Sequence, residues 1–157
     1  MNLLKTGKAV VFTLLLFGCI NKNPENITAG EKKCEHCKMN ITQMNYHSQL
    51  VTQKGRKFHF DSIECLVSYW MEDETKAEKL YVKNFNSPNE WLAITDATFL
   101  KSDKLLSPMS ANLSSYKNTE NANHAKVEFG GKLLDLAGLK EYIKTEWKKE
   151  LFEKSTH

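Results

Sequence analysis

The chain has 157 residues, of which 41% are hydrophobic and 26% charged, so it has enough length and apolar content to fold as one domain or two small half-domains. Its formal net charge is +3, but Lys5 and Lys8 supply two of the 22 basic residues, and no acidic residue lies among the first 18. The rest of the chain carries a net charge of only +1 and has no basic block, so we expect no nucleic-acid partner.

Residues 1–18 are predicted to be a lipoprotein signal peptide. The two lysines precede an apolar stretch at 9–17, which is far shorter than the roughly 20 residues that span a bilayer. The sequence "LFGC" at 16–19 resembles a lipobox, in which the cysteine is lipidated, so Cys19 is the predicted lipidation site. An ordinary signal peptide with an incidental cysteine is the alternative. We expect polar residues 20–33 to be a flexible tether that holds the domain to a bacterial membrane, on its periplasmic side.

Three thiols remain if Cys19 carries lipid, namely Cys34, Cys37 and Cys65, and an odd number cannot all pair in disulfides. A disulfide between Cys34 and Cys37 is feasible in an oxidising compartment, but it closes a very small loop and stabilises little. A thioredoxin-like redox pair requires the motif at the start of a helix. The residues after Cys37, "KMNITQMN", have no helical period, which disfavours that alternative.

The sequence "CEHCKM" at 34–39 places two thiols, an imidazole and a thioether within six residues. A structural zinc site of three cysteines and one histidine is one interpretation, although no second Cys-x-x-Cys motif completes it. Cu(I) prefers thiolate and thioether ligands, and in an extended segment Cys37 and Met39 would point to the same side. The pattern therefore favours a Cu(I) site at Cys37 and Met39, and His36 is the histidine best placed to join it.

Strands are predicted at 46–53 and 55–60, joined by a turn near Gly55. An amphipathic helix is predicted over 61–74, where Asp61 and Glu64 form a capping-box pattern. Cys65 lies on this helix away from the apolar face, either as an auxiliary thiol near the metal or as a small residue packed under another element. Further along the chain we predict a strand at 79–85, a turn at 86–90, a strand at 91–100, a segment with a proline at 106–116, a polar loop or short helix at 117–124, a strand or hairpin at 125–136 and a closing helix at 139–152.

The two halves of the chain weakly repeat each other. "CKM", which ends at Met39, and "SPM", which ends at Met109, are each followed by β-like segments and then a helix. The alignment needs gaps, but it suggests an α+β fold of two similar half-domains, each with a few antiparallel strands and a helix. We place these half-domains at 34–88 and 89–152, and we expect residues 153–157 to be a disordered tail.

Four segments, "CEHCKMNI", "FDSIECLVSYW", "LYVKNFNSPNEWLAITDATFL" and "SPMSANLSSY", together resemble the NosL family of copper-binding lipoproteins of nitrous oxide reductase maturation. The resemblance covers roughly residues 34–145, and the ordered combination is more specific than any one segment. It implies a Cu(I) chaperone, without enzymatic activity, that serves nitrous oxide reductase and meets its accessory maturation transporter. It also implies two half-domains whose topology is related to organomercurial lyase.

The resemblance also implies ligands. Cys37 and Met39 match the family's Cys-x-Met and are the implied Cu(I) ligands, while Met109 matches its Pro-Met and is expected to reach the same site if the two halves face each other. Cys34 matches the first cysteine of the family motif, with a role that stays open. Lys38 stands where many relatives have glycine, which implies a stiffer and more positive loop.

An enzyme related to organomercurial lyase is the remaining alternative. That enzyme uses two cysteines and an aspartate, and this chain offers Asp61 beside its three thiols. The predicted lipoprotein signal argues against it, because organomercurial lyase works in the reducing cytoplasm.

Overall fold

Seven strands in two antiparallel sheets, together with three α-helices, make up residues 20–149, the part of the chain that the computed structural model describes. The predicted α+β class is confirmed. The elements are β1 (Ser48–Val51), β2 (Lys57–Phe60), α1 (Ile63–Glu72), β3 (Lys79–Asn84), β4 (Ser87–Ala93), β5 (Thr98–Lys101), β6 (Leu113–Tyr116), α2 (Thr119–Phe129), β7 (Lys132–Leu134) and α3 (Leu136–Tyr142), which continues into a π-helical turn at Ile143–Trp147.

The first sheet has the strand order β2-β1-β3-β4, and the second has the order β6-β5-β7. In the first sheet Leu50 of β1 lies opposite Phe58 and Leu80, so these apolar side chains share one face. The two sheets meet at β3 and β6, where the Ser115 hydroxyl donates to the Lys83 carbonyl at 2.6 Å. This contact places the end of β3 beside β6, which is an edge strand of the second sheet.

One cluster of buried apolar residues draws on both sheets and on the closing helix. It joins Leu50, Phe60 and Leu66 from the first half to Leu113 and Trp147 from the second. The expected boundary between residues 88 and 89 falls inside β4, which pairs with β3 and so belongs to the first sheet. The two halves therefore share a core as well as a topological likeness.

The two longest helices begin and end differently from the prediction. Ser62, and not Asp61, caps α1 by accepting a hydrogen bond from the Cys65 amide at 3.4 Å. The short helix expected as one alternative at 117–124 is present and extends further, because α2 begins after its cap Asn118 and continues to Phe129, with Gly130 as its C-cap at a φ of +69°. The strand or hairpin expected from residue 125 is therefore reduced to β7. The Val and Phe residues of α2 favoured a strand, but its small alanines pack against the second sheet.

Residues 22–33 also differ from the expected flexible tether, because they lie against the first sheet through hydrogen bonds and ion pairs described below. The predicted signal peptide, Cys19 and the tail at 153–157 lie outside the described residues. Among the residues that are described, no helix combines the length and the apolar character needed to cross a membrane.

Candidate metal centre

The Cys-x-x-Cys motif lies at the tip of a short hairpin. The Ile41 amide donates to the Lys32 carbonyl at 3.0 Å, and the Cys34 amide donates to the Met39 carbonyl at 2.8 Å. Lys38 closes the turn by donating from its amide to the Cys34 carbonyl, with a left-handed φ of +65°. The segment is therefore a tight turn and not the extended strand that the sequence analysis assumed for Cys37 and Met39.

The sulfur atoms of Cys34, Cys37 and Cys65 and a carboxylate oxygen of Asp61 all lie within 4.8 Å of one another. Asp61 directly follows β2, and Cys65 comes four residues later, in the first turn of α1. The hairpin is held beside this strand end because the Glu35 amide donates to the His59 carbonyl at 2.8 Å. The fold thus brings the 34–37 and 61–65 segments together as one four-donor cluster.

The cluster is buried on all but one side. Cys34 and Cys65 are fully buried and Asp61 is 2% exposed, whereas Cys37 is only half-buried. The Cys37 thiol donates to Asp61 Oδ2 at 3.2 Å. The other oxygen, Asp61 Oδ1, is buried and has no hydrogen-bond partner within residues 20–149. A buried carboxylate oxygen without a donor, next to three free thiols, is the arrangement that a bound cation would satisfy.

The three thiols differ in acidity. A hydrogen bond from the Cys65 thiol lowers the pKa of Cys34 to about 7, although burial opposes this change. The same hydrogen bond raises the pKa of Cys65, and burial raises the pKa of Cys37 to about 12. Cys34 is therefore the thiol that ionises most readily, and a metal that takes all three sulfurs must also displace the protons of Cys37 and Cys65.

Met39 and Met109 occupy different surroundings. Met39 is 44% exposed on the hairpin, whereas Met109 is half-buried against the main core. The Met109 carbonyl accepts a hydrogen bond from Trp147 Nε1 at 3.0 Å, and the Trp147 ring lies 6.5 Å from the His36 ring. The loop between β5 and β6 (residues 102–112, the Met109 loop) and the hairpin at residues 32–41 (the cysteine hairpin) therefore contact the same indole.

His36 is available as a ligand without being part of the cluster. Its Nδ1 is buried and has no hydrogen-bond partner in the described chain, and burial lowers its pKa, so the imidazole is neutral at pH 7. Neutral imidazole is the form that binds metals.

Glu64 has a role that the sequence analysis missed. Instead of capping α1, its fully buried carboxyl group accepts from the Ser107 hydroxyl at 2.6 Å and from the Ala111 amide at 3.3 Å. It thereby attaches the Met109 loop to the helix that carries Cys65. Asp61 was also mistaken for a cap, although its spacing of four residues from Cys65 was a signal that both groups could face one site.

These observations define the class of protein: an α+β domain with a thiol-rich site, open on one side, that suits a soft metal ion. The NosL family model matches residues 24–143, and the chain belongs to the NosL family. The crystal structure of the copper chaperone NosL from Shewanella denitrificans has the same fold, with a TM-score of 0.66 and 20% sequence identity over 74% of this chain and 95% of that chain. Comparison with curated protein sequences gives no match. The family predicted from the sequence is confirmed.

Proposed function

We propose that this protein is a copper chaperone that binds Cu(I) at the Cys34, Cys37 and Cys65 cluster and transfers it to nitrous oxide reductase. The single observation that carries the proposal is the convergence of three thiol sulfurs and one carboxylate oxygen within 4.8 Å of one another, in a member of the NosL family. The structural neighbour from Shewanella denitrificans, described as a copper chaperone, supports the choice of metal.

The ligand chemistry separates an inner from an outer part of the site. Buried Cys34 and Cys65 would retain the ion, while half-buried Cys37 and exposed Met39 would form the side at which it leaves. A Cu(I) ion held by two or three sulfur ligands leaves room for a sulfur or imidazole ligand of the acceptor to bind before the last donor sulfur leaves. The protein would therefore act by binding and ligand exchange, without turnover of a substrate.

Anchoring and location complete the proposal. A lipid on Cys19 would hold the domain at the periplasmic face of a bacterial membrane, where the accessory transporter of nitrous oxide reductase maturation could meet it. The lipid would contact the membrane, and nitrous oxide reductase would receive the copper.

A second candidate is a zinc-binding module, which the participation of Asp61 favours. Three cysteines and a carboxylate oxygen are a complete four-ligand set for Zn²⁺. A site closed in this way would stabilise the fold and would oppose transfer of the ion.

The proposal is tested by anaerobic titration of the reduced chain with Cu(I) in the presence of a competing chelator. We expect one tightly bound Cu(I) ion, with at least about tenfold weaker binding, or about 1.4 kcal/mol, in Cys37→Ser and Cys65→Ser. Met39→Leu should weaken binding, whereas Met71→Leu, a similar change at the far end of α1, should leave it unchanged. A chain that ignores Cu(I) but holds one Zn²⁺ per molecule contradicts the proposal and favours the zinc module.

Transfer is measured separately. Copper-loaded protein is mixed with copper-free nitrous oxide reductase, and the expected result is loss of copper from the chaperone together with the appearance of the reductase's copper absorption. Incubation of the reduced chain with an organomercurial compound tests the enzyme alternative, and release of the hydrocarbon in repeated turnovers would support it.

A further inference from the structure

The N-terminal strap, which we define as residues 22–30, is bound to the first sheet and the residue before β3 at its start, to the first sheet along its length, and to the base of the cysteine hairpin at its end. At its start the Lys22 ammonium pairs with the Glu78 carboxylate at 2.9 Å, and the Tyr81 hydroxyl donates to the Lys22 carbonyl at 3.3 Å. At its end the Gly30 amide donates to the Ile41 carbonyl at 2.7 Å. Ile27 packs against the main core between these points.

Glu25 is the centre of the strap's polar contacts. Its carboxylate bonds His59 Nε2 at 3.0 Å and pairs with Lys57 Nζ at 3.1 Å, which ties the strap to β2. Its amide donates to Gln49 Oε1 at 3.0 Å, and the Gln49 amide group donates back to the Glu25 carbonyl, which ties the strap to β1. A two-way contact of this kind fixes the backbone of the strap as well as its side chain.

Asn26 continues the strap across the rest of the sheet. Its Oδ1 accepts from Lys83 Nζ of β3 at 2.7 Å and from Trp91 Nε1 of β4 at 2.9 Å. Lys83 is only 4% exposed and its ammonium lies 3.8 Å from the centre of the Trp91 ring. Because Asn26 supplies an oxygen to a buried cation, removing it leaves that charge without this acceptor. The strap thus contacts all four strands.

The strap begins beside a basic turn. A Cβ built on Gly55, in the turn between β1 and β2, would lie 2.5 Å from Ile20 Cγ2, and Ile20 is 57% exposed. Lys54 and Arg56 flank Gly55 and are exposed. Cys19 immediately precedes Ile20 in the chain, and consecutive Cα atoms are about 3.8 Å apart, so a lipid on Cys19 would start close to Ile20.

We infer that the strap fixes the orientation of the domain relative to its lipid anchor, so that the surface formed by Ile20, Lys54 and Arg56 is held against an anionic bilayer. Basic side chains beside an exposed apolar one match the charge and the interfacial character of such a surface. β2 leads from Arg56 to Asp61 in five residues, a distance of at most about 17 Å at about 3.3 Å per residue. The metal site is then kept at a fixed, short height above the membrane. The inference rests on the proposed lipidation of Cys19.

Amine labelling of the full lipidated chain tests this orientation. The protein is placed in phosphatidylglycerol–phosphatidylcholine vesicles or in detergent, treated with an amine-reactive acylating reagent, and digested for mass spectrometry. We expect Lys54 to react about fivefold more slowly on the vesicles than in detergent, since each basic side chain at an anionic surface gains about that factor in binding. Lys126, exposed on α2 in the second half, is the internal control and should react equally in both.

Two variants separate the contribution of the strap contacts from that of the basic side chains at the membrane surface. The Glu25→Ala/Asn26→Ala protein should stay on the vesicles through its lipid but lose the protection of Lys54, because the strap no longer orients the domain. Arg56→Glu leaves the strap contacts intact and should also reduce the protection, so the inference remains testable if the first variant fails to fold.

The outcomes distinguish the inference from the proposal beneath it. An intact mass without lipid overturns the proposed anchor and this inference with it. Lipidated protein that sediments with the vesicles, but in which Lys54 and Lys126 react alike, overturns the fixed orientation alone.

Discussion

Glu64 should control copper binding through the Met109 loop, although it is not expected to touch the metal. Its carboxyl group is the acceptor for the Ser107 hydroxyl and the Ala111 amide, on either side of Met109. Within the same loop Ser110 has a φ of +61°, a left-handed conformation that costs a non-glycine residue about 1 kcal/mol. Without the Glu64 contacts we expect the loop to leave this conformation and to move Met109, which the family resemblance implies to be a thioether ligand, away from the cluster.

The magnitude follows from the two donors that Glu64 satisfies. In Glu64→Leu both become buried donors without this acceptor, at about 1–3 kcal/mol each, partly offset because a carboxyl group is no longer buried. We expect a net loss of about 2–4 kcal/mol in the free energy of unfolding, or roughly 10 °C in Tm. Glu64→Gln keeps a carbonyl oxygen for both donors and should cost about 1 kcal/mol or less.

The assay is Cu(I) affinity by chelator competition, combined with X-ray absorption to count sulfur ligands. We expect Glu64→Leu to weaken Cu(I) binding as much as Met109→Ala does, and to lose one thioether from the copper shell. Because both changes would remove the same ligand, their effects should not add in the double variant. Glu64→Gln should restore both the affinity and the sulfur count.

Leu50→Ala is the control for loss of stability alone. Leu50 is fully buried in β1, and its truncation should cost about 2–5 kcal/mol without removing a donor or acceptor from the Met109 loop. The reasoning is refuted if Glu64→Leu binds Cu(I) like the parent, or if its loss of affinity adds fully to that of Met109→Ala.

Three further predictions concern stability. Burial lowers the pKa of His47 to about 3, so the folded chain keeps this ring neutral. The free energy of unfolding should therefore fall by up to about 4 kcal/mol as the pH drops from about 6.5 towards 3. Chemical denaturation of His47→Gln should show a weaker decline over the same pH range. Lys38→Gly relieves the strain of a φ of +65° and should raise the free energy of unfolding by about 0.5–1 kcal/mol, seen as a slightly higher Tm. A lower Tm would contradict this. Gly131→Ala places a Cβ at a φ of +95°, where it would collide with the Lys101 carbonyl, and should lower the free energy of unfolding by more than about 2 kcal/mol. Thermal unfolding measures this change, and an unchanged stability would contradict the expectation.

Local patterns in the sequence predicted the elements that local physics determines. The period of the apolar residues in α1 located that helix to within two residues at either end, and Gly55, with a φ of +76°, marks the turn between β1 and β2 as expected. The cysteine motif likewise drew attention to Cys34 and Cys37, although the extended segment expected there is a tight turn. These features depend on neighbours within a few residues.

Long-range contacts explain what the sequence analysis missed. Asp61 and Glu64 have the residue types and the spacing of a capping box, and only the packing of the hairpin and the Met109 loop against α1 gives them other partners. The strap has a polar composition typical of a tether, but its acceptors meet a buried lysine and a buried histidine of the sheet. Neither pairing has a local signature in the sequence.

The shared core limits how a metal ion bound at the cluster could leave. Because apolar residues of both halves form one buried cluster, the two halves cannot separate without exposing Leu66 and Leu113 to water. The hairpin, by contrast, presents half-buried Cys37 and exposed Met39 at the surface without any movement of the core. In the proposed function an acceptor would therefore take the copper at the hairpin surface, and substitutions of Cys37 or Met39 would alter the rate of transfer while leaving the core of the protein intact.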